Sequence, residues 1–203
     1  MENFIVSSKL YRDKYGILSS NFDLDVQNLL SNLNIKIIPY LNFKNKFSNK
    51  IKDAEGLILL GGGDIYKYNK KKENQIRDKI EIKLFREFYK TNKPILAICR
   101  GFQLIMDAYK IPLIKNDGHV RKKHKLIIKN SRFIKYKNLS VNSFHNYSVF
   151  KLPNDFKYVS MHQDGSVEIA EHKKKKILCL MFHPERKMNS QKNLLKVLKE
   201  FFK

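Results

Sequence analysis

Residues Pro94–Gln103 read PILAICRGFQ, and the fold turns on how this stretch is read. The β-branched apolar run from Pro94 to Ile98 has the length and composition of a buried strand. After Cys99 the apolar residues switch to helical spacing, at Phe102, Leu104, Ile105 and Ala108. A strand that turns into a helix at Cys99 projects this side chain from the sheet edge, with its backbone near the positive end of the helix. That end lowers a thiol's pKa, and the thiolate is the nucleophilic form. In hydrolases with a serine at such a corner, the N–H of the next residue, here Arg100, is an oxyanion donor. Most free cysteines are small buried hydrophobes, so the corner alone does not establish chemistry.

Weight comes from the far end of the chain. Cys179–Arg186 reads CLMFHPER, an apolar strand over Lys176–Phe182 that delivers His183 and then Glu185 at its exit. Cysteine hydrolysis needs an imidazole to take the thiol proton and a carboxylate to hold the ring. Glu185, two residues beyond His183 with Pro184 stiffening the turn, suits that role. Gly56–Asp64, GLILLGGGD, is a further buried strand opening into three glycines. Such a loop brings backbone N–H groups close to a substrate atom without side-chain obstruction. Its spacing is neither that of a phosphate-cradling P-loop nor that of a dinucleotide fingerprint.

GLILLGGGD, PILAICRGFQ, VNSFHN and FHPER, in that order, resemble the class I glutamine amidotransferase-like hydrolases, and most closely their γ-glutamyl hydrolase branch. The resemblance runs from about Gly56 to Arg186. It implies a flavodoxin-like three-layer α/β sandwich with a mainly parallel central sheet, helices on both faces and a smaller β-rich segment. It also implies a Cys–His–Glu triad and a γ-glutamyl thioester intermediate. By motif, Cys99 matches the nucleophile, His183 the general base and acid, and Glu185 the orienting carboxylate. Gly62 and Arg100 match the backbone oxyanion donors. Gln103 and the Ser143–Asn146 segment (Ser143, Phe144, His145, Asn146) match residues that hold the glutamyl end, and Arg77, which with Asp78 matches an Arg-Asp pair of the branch, is expected to bind substrate with them. Two departures stand out. Ala97 replaces the first glycine of the usual Gly-x-Cys-x-Gly elbow, and Gly63 stands where the branch often carries a larger residue.

The whole chain, 1–203, reads as one domain without repeats or linkers, and 203 residues suffice for a full core. No apolar run approaches bilayer length, and the N-terminus lacks a signal-peptide pattern. Two cysteines without a disulfide pattern fit a reducing cytoplasm, with Cys179 as core. No Cys/His spacing suggests zinc, and the six histidines are scattered. His119 and His124, in GHVRKKH, have basic neighbours and no acidic partner in sequence, so neither metal nor cofactor is expected.

The net charge is +22. Lysine far outnumbers arginine and is dispersed, as compositional drift would produce, and no aromatic-interleaved nucleic-acid motif is present. The alternative is a basic groove selected for an anionic ligand. Arg77, Arg100, His119, Arg121, Lys122, Lys123 and Arg186 are the bases nearest the site. The resemblance implies a small γ-glutamyl compound as partner, and a basic site would suit one that is anionic and nucleotide-linked; neither a membrane nor a nucleic acid is expected. Rival readings are a hydrolase of γ-glutamyl polyamine- or GABA-type amides, a glutaminase subunit feeding ammonia to a synthase, and a non-catalytic nucleic-acid binder.

Alternating patterns order the elements. Strands are expected at Asn3–Ser7, Lys36–Tyr40, Leu57–Leu60 and Pro94–Ile98, and helices over Asp23–Leu33, Glu73–Thr91 and the segment after Cys99. Beyond Pro112 come short strands, at Lys125–Lys129, Ser140–Phe144, Tyr158–Met161, Val167–Glu171 and Lys176–Phe182. A closing helix spans Ser190–Phe202. Mainly parallel sheets built this way carry their sites at the carboxyl ends of strands.

Overall fold

The computed structural model describes residues 2–38 and 51–203. Its elements run β1 (Glu2–Val6), β2 (Lys9–Arg12), β3 (Leu18–Asn21), α1 (Leu24–Asn32), β4 (Ile35–Ile38), β5 (Gly56–Leu59), α2 (Lys72–Tyr89), β6 (Ile95–Ile98) and α3 (Arg100–Ala108). Then follow β7 (Ile114–Lys115), a 3₁₀ turn (Asp117–His119), β8 (Val120–Ile127), β9 (Asn138–Phe144), β10 (Tyr147–Ser148), β11 (Phe156–Met161), β12 (Val167–His172), β13 (Ile177–Leu180) and α4 (Gln191–Phe202).

Seven strands form the main sheet, in the order β11-β12-β13-β6-β5-β1-β4. The pairs β4–β1, β1–β5, β5–β6 and β6–β13 are parallel, and β13–β12 and β12–β11 are antiparallel. Alternation along each strand feeds two cores, because successive side chains point to opposite faces. Phe4, Leu96, Ile98, Leu178 and Leu180 join one core with α1 and α4 residues such as Leu30 and Phe201. Ile5, Ile95, Ala97, Ile177 and Cys179 join the other with Phe85 and Phe88 of α2 and Phe102 of α3. Helices thus cover both faces, and the expected three-layer α/β arrangement is the one observed. Cys179 is a core residue whose thiol burial pushes far above its ordinary pKa. Among the described residues no helix is long and apolar enough to cross a membrane.

Most element boundaries differ from expectation by one to three residues; Pro39 and Tyr40 of the second expected strand lie outside the described residues. Two departures are larger: β8 begins at Val120, five residues before the expected Lys125, and a hairpin follows β1. Residues 9–21, between the first expected strand and the first expected helix, form the β2–β3 hairpin. Its turn is closed by Asp13 Oδ1, which accepts the N–H groups of Tyr15 and Ile17, and by Gly16 at φ +84°. The β-rich segment is separate from the main sheet: β8 pairs β9, and β7 pairs β10.

Three neighbouring parallel strands matter for function. β5, β6 and β13 lie side by side, so the segments after Leu59, Ile98 and Leu180 emerge together at one sheet edge.

Candidate active site

Cys99 follows β6 directly and precedes α3. Its backbone sits at φ +48°, ψ −101°, a region that side chains rarely adopt. Such strain persists only where surrounding structure enforces it, and here Cys99 N–H is held by Leu180 O at 2.7 Å. Ala97 stays within the buried strand and is not among the positive-φ residues, so its methyl leaves the corner intact.

His183 emerges beyond β13, 2% exposed, and its Nδ1 lies 2.6 Å from Glu185 Oε1. Burial alone would push the imidazole pKa down. The charge and hydrogen bonding of Cys99 and the contact with Glu185 outweigh burial and raise it from 6.5 to about 9. Cys99 and His183 flank Gly61: a Cβ there would come within 2.6 Å of His183 Cε1 and 3.3 Å of Cys99 Cβ. Only glycine lets the loop pass so close.

The next residue, Gly62, has φ +87°. Arg77, from α2, fixes this loop: its guanidinium donates to Gly62 O at 2.6 Å, Leu60 O at 2.8 Å and Gly61 O at 3.2 Å. A trans peptide points its N–H opposite its C=O. With Gly61 O turned to Arg77, the Gly62 N–H is directed away from Arg77. Arg77 is 5% exposed and committed to these carbonyls and to Glu81 at 2.7 Å. The expectation that it touches substrate is therefore corrected: it shapes the glycine loop from behind.

Arg100 is turned inward too. Its guanidinium pairs with Glu81 and Asp78 and donates to Asp64 O at 3.2 Å, and it is fully buried. Burial, and next the like charge of Arg100, brings the Arg77 guanidinium down to about 10. Burial would raise the Glu81 carboxyl, but Arg100 and Arg77 outweigh it and hold Glu81 below its ordinary range. Two guanidiniums and two carboxylates thus form a closed buried network behind the elbow.

A cleft of about 310 Å³ is lined by Gly62, Gly63, Asp64, Cys99, Gln103, Phe144, His145, Asn146, His183 and Arg186. Gln103 Nε2 donates to Tyr147 O at 2.8 Å. The Phe144 ring stands edge-on to His183, and the Arg186 guanidinium lies over it at 4.6 Å. Ser143 is not in the cleft: strand alternation buries it, and its hydroxyl donates to His119 O at 2.7 Å. Of the bases expected to line a groove, only Arg186 does so; Arg77, Arg100 and His119 are buried in polar networks.

Sequence reading missed Asn142. Its Oδ1 accepts His183 N–H at 2.9 Å while its Nδ2 donates to His183 O at 2.9 Å. This two-way clamp fixes the backbone of the histidine from β9. The histidines also prove not to be scattered in space. His119, His124 and His145 meet around Glu168, His162 packs against His119 and His124, and Asp164 pairs with His119 and His162, supplying the acidic partners that the local sequence lacks.

Comparison with known proteins assigns the class. The Peptidase C26 family model matches residues 31–185, and the chain belongs to this family, which is class I glutamine amidotransferase-like. It is accordingly a glutamine-amidotransferase-like amide hydrolase. Among individual relatives, the γ-glutamyl-CDP-amidate hydrolase of Campylobacter jejuni subsp. jejuni serotype O:2 is 29% identical over 162 residues, covering 80% of this chain and 76% of that one. One component of the glutamine-hydrolysing GMP synthase of Methanocaldococcus jannaschii is 31% identical over 156 residues, 75% of this chain and 74% of the relative. A solved glutamine amidotransferase from Thermotoga maritima superposes with a TM-score of 0.74 at 16% identity, covering 98% of this chain and 96% of that one.

Proposed function

We propose that this protein hydrolyses γ-glutamyl amides through a thioester on Cys99, with γ-glutamyl-CDP-amidate as substrate. The observation that carries the reading is a strained cysteine sharing one cleft with a buried histidine that is bonded to a carboxylate at 2.6 Å. His183, oriented by Glu185, takes the Cys99 proton, and the thiolate attacks the γ-carbonyl carbon. The N–H groups of Gly62 and Arg100 hold the oxyanion; one such donor typically contributes ~10²–10³ in turnover. The nitrogen leaves with the proton from His183, and water then hydrolyses the thioester to glutamate and free Cys99. Gln103, Phe144, His145 and Asn146 contact the glutamyl end.

The Campylobacter relative favours a CDP-linked leaving group. Its release as cytidine diphosphoramidate would serve phosphoramidate decoration of capsular polysaccharide. A second cleft of about 490 Å³ shares Gly63 and Asp64 with the first and offers room for it; its lining sets Arg12 and Lys71 against Asp13, Asp64 and Glu73, and Arg12 is paired with Glu73 at 2.8 Å. Arg186 supplies positive charge at the catalytic cleft itself. Glutamate release from glutamine, γ-glutamyl amines and γ-glutamyl-CDP-amidate should be fastest for the nucleotide conjugate by kcat/KM. Preference for γ-glutamyl polyamines would overturn the substrate. The Methanocaldococcus relative favours a second reading, a glutaminase serving a synthase. Glutamine hydrolysis that rises sharply on adding a partner protein would support that one.

With the His183 pKa raised to about 9, the ring's contribution to stability is complete below about 6.5 and is lost as pH rises through about 9. The proton for the leaving nitrogen disappears over the same range, so kcat/KM should fall on the alkaline side near pH 9. Glu185→Gln should move that limb to lower pH. A pH profile with the same alkaline limb in both proteins contradicts the role of Glu185. Asn142→Ala should lower kcat by up to about 10²-fold, since small misplacements of a reacting group have effects of that size, while KM changes little. An unchanged kcat would show that the clamp on His183 is dispensable.

A further inference from the structure

Apart from His145, which also lines the catalytic cleft, the histidine cluster takes no part in the reaction just described, and its proton arrangement is unusual. Glu168, on β12, is fully buried beneath it. Its Oε1 lies 3.5 Å from His119 Nδ1, 3.5 Å from His145 Nε2 and 3.1 Å from His124 Nδ1. None of these three histidines is more than 3% exposed.

The second nitrogen of each of two rings is already engaged. His119 Nε2 sits 2.7 Å from Asp164 Oδ2, an acceptor, so that nitrogen carries the proton. His145 Nδ1 sits 3.1 Å from the Tyr147 carbonyl, so it too is the protonated nitrogen. In the neutral rings, His119 Nδ1 and His145 Nε2 are then bare lone pairs aimed at a carboxylate. Both atoms are buried without a hydrogen-bond partner, as is Glu168 Oε2. Lone pairs converging on an anion need a cation between them. A second proton on each ring would supply one, but 3.5 Å is long for an N–H···O bond. Ligand atoms ~2.1 Å from a tetrahedral zinc ion stand about 3.4 Å apart, which fits that spacing. The ligand atoms of His119, His145 and Glu168 all lie within 4.8 Å of one another.

We propose that His119 Nδ1, His145 Nε2 and Glu168 Oε1 bind one divalent transition-metal ion of the zinc class, with His124 Nδ1 hydrogen-bonded to the ligating carboxylate. The outer partners suit this: a carboxylate behind His119 and a backbone carbonyl behind His145 fix the tautomers that expose the ligating nitrogens. Asp164 is itself held by Asn116 Nδ2 at 2.9 Å and by Ser166 Oγ at 2.7 Å. Held by three buried side chains, the site is structural. It ties the 3₁₀ turn to β12 and to the turn carrying His145 and Asn146, which line the catalytic cleft. This inference stands independently of the proposed substrate and reaction.

The test is metal content of the full chain, freed of any affinity tag, after stripping with a chelator, reloading with zinc and removing the excess. The expected result is about one zinc per chain by mass spectrometry of the metal, with a higher melting temperature than the stripped protein. Cobalt(II) loaded instead should show the strong visible absorption of a four-coordinate site. Glu168→Gln and His145→Ala should lose the stoichiometric ion, and His172→Ala, outside the cluster, should keep it. Should the two ligand variants not fold, the wild-type stoichiometry and cobalt spectrum decide. Wild-type protein that retains under about a tenth of an equivalent and melts identically with and without zinc would overturn the proposal, leaving a protonated histidine–carboxylate cluster. Full retention by folded Glu168→Gln and His145→Ala would overturn it equally.

Discussion

Cys99→Ala should lose turnover by roughly 10⁶-fold, the scale seen when the nucleophile of a catalytic triad is removed. No other described thiol can substitute. Cys179 belongs to the strand core, and burial raises its pKa far above the range in which a thiolate forms. The substitution should preserve substrate binding, because it deletes one sulfur at a corner whose main chain is fixed by Leu180 O and by the loop around Gly61. Equilibrium binding of an uncleaved γ-glutamyl conjugate, with turnover measured alongside, separates the two properties. Wild-type turnover in the variant would exclude Cys99 from the chemistry.

Glu81→Gln should destabilise the protein by roughly 3–5 kcal/mol, because removing one partner of a buried ionic network leaves the remaining charges uncompensated. Glu81 is fully buried and accepts from Arg77 and Arg100 together. At about 2–4 °C per kcal/mol for a chain of this size, the melting temperature should fall by about 6–20 °C. The network contributes at neutral pH and loses strength in acid: the Glu81 carboxyl is held below its ordinary pKa, so its stabilisation is complete above about 4.5 and lost as pH falls through the lowered value. Activity should fall even well below the melting temperature, since Arg77 holds the carbonyls that direct the Gly62 amide. A variant as stable and active as the wild type would show that Arg77 and Arg100 are satisfied without this carboxylate.

Local chemistry made the central architecture legible in the sequence. The runs Leu57–Leu60 and Pro94–Ile98 are short, apolar and followed by glycine or a change of period, and both became central strands. The pairing of His183 with Glu185 was legible for the same reason, being two residues apart at a strand exit. What stayed hidden depends on partners distant in the chain. Arg77 reads as a substrate contact until the fold sets it behind three loop carbonyls. Ser143 and Phe144 are neighbours in one motif, yet strand alternation buries the first and opens the second to the cleft. The β2–β3 hairpin lacks an apolar stripe, and only Asp13 and Gly16 hint at its turn. The histidine cluster gathers residues from the segments around 119, 145, 162 and 168, so no spacing within one segment announces it.

Acid-quenching the enzyme during turnover of a γ-glutamyl amide and mapping the covalent adduct by peptide mass spectrometry tests the central claim most directly. The result expected is one glutamyl group in thioester linkage on the peptide that contains Cys99, released by hydroxylamine and absent from Cys99→Ala. A glutamyl adduct on any other residue, or an unmodified Cys99→Ala protein that still turns over, would contradict it.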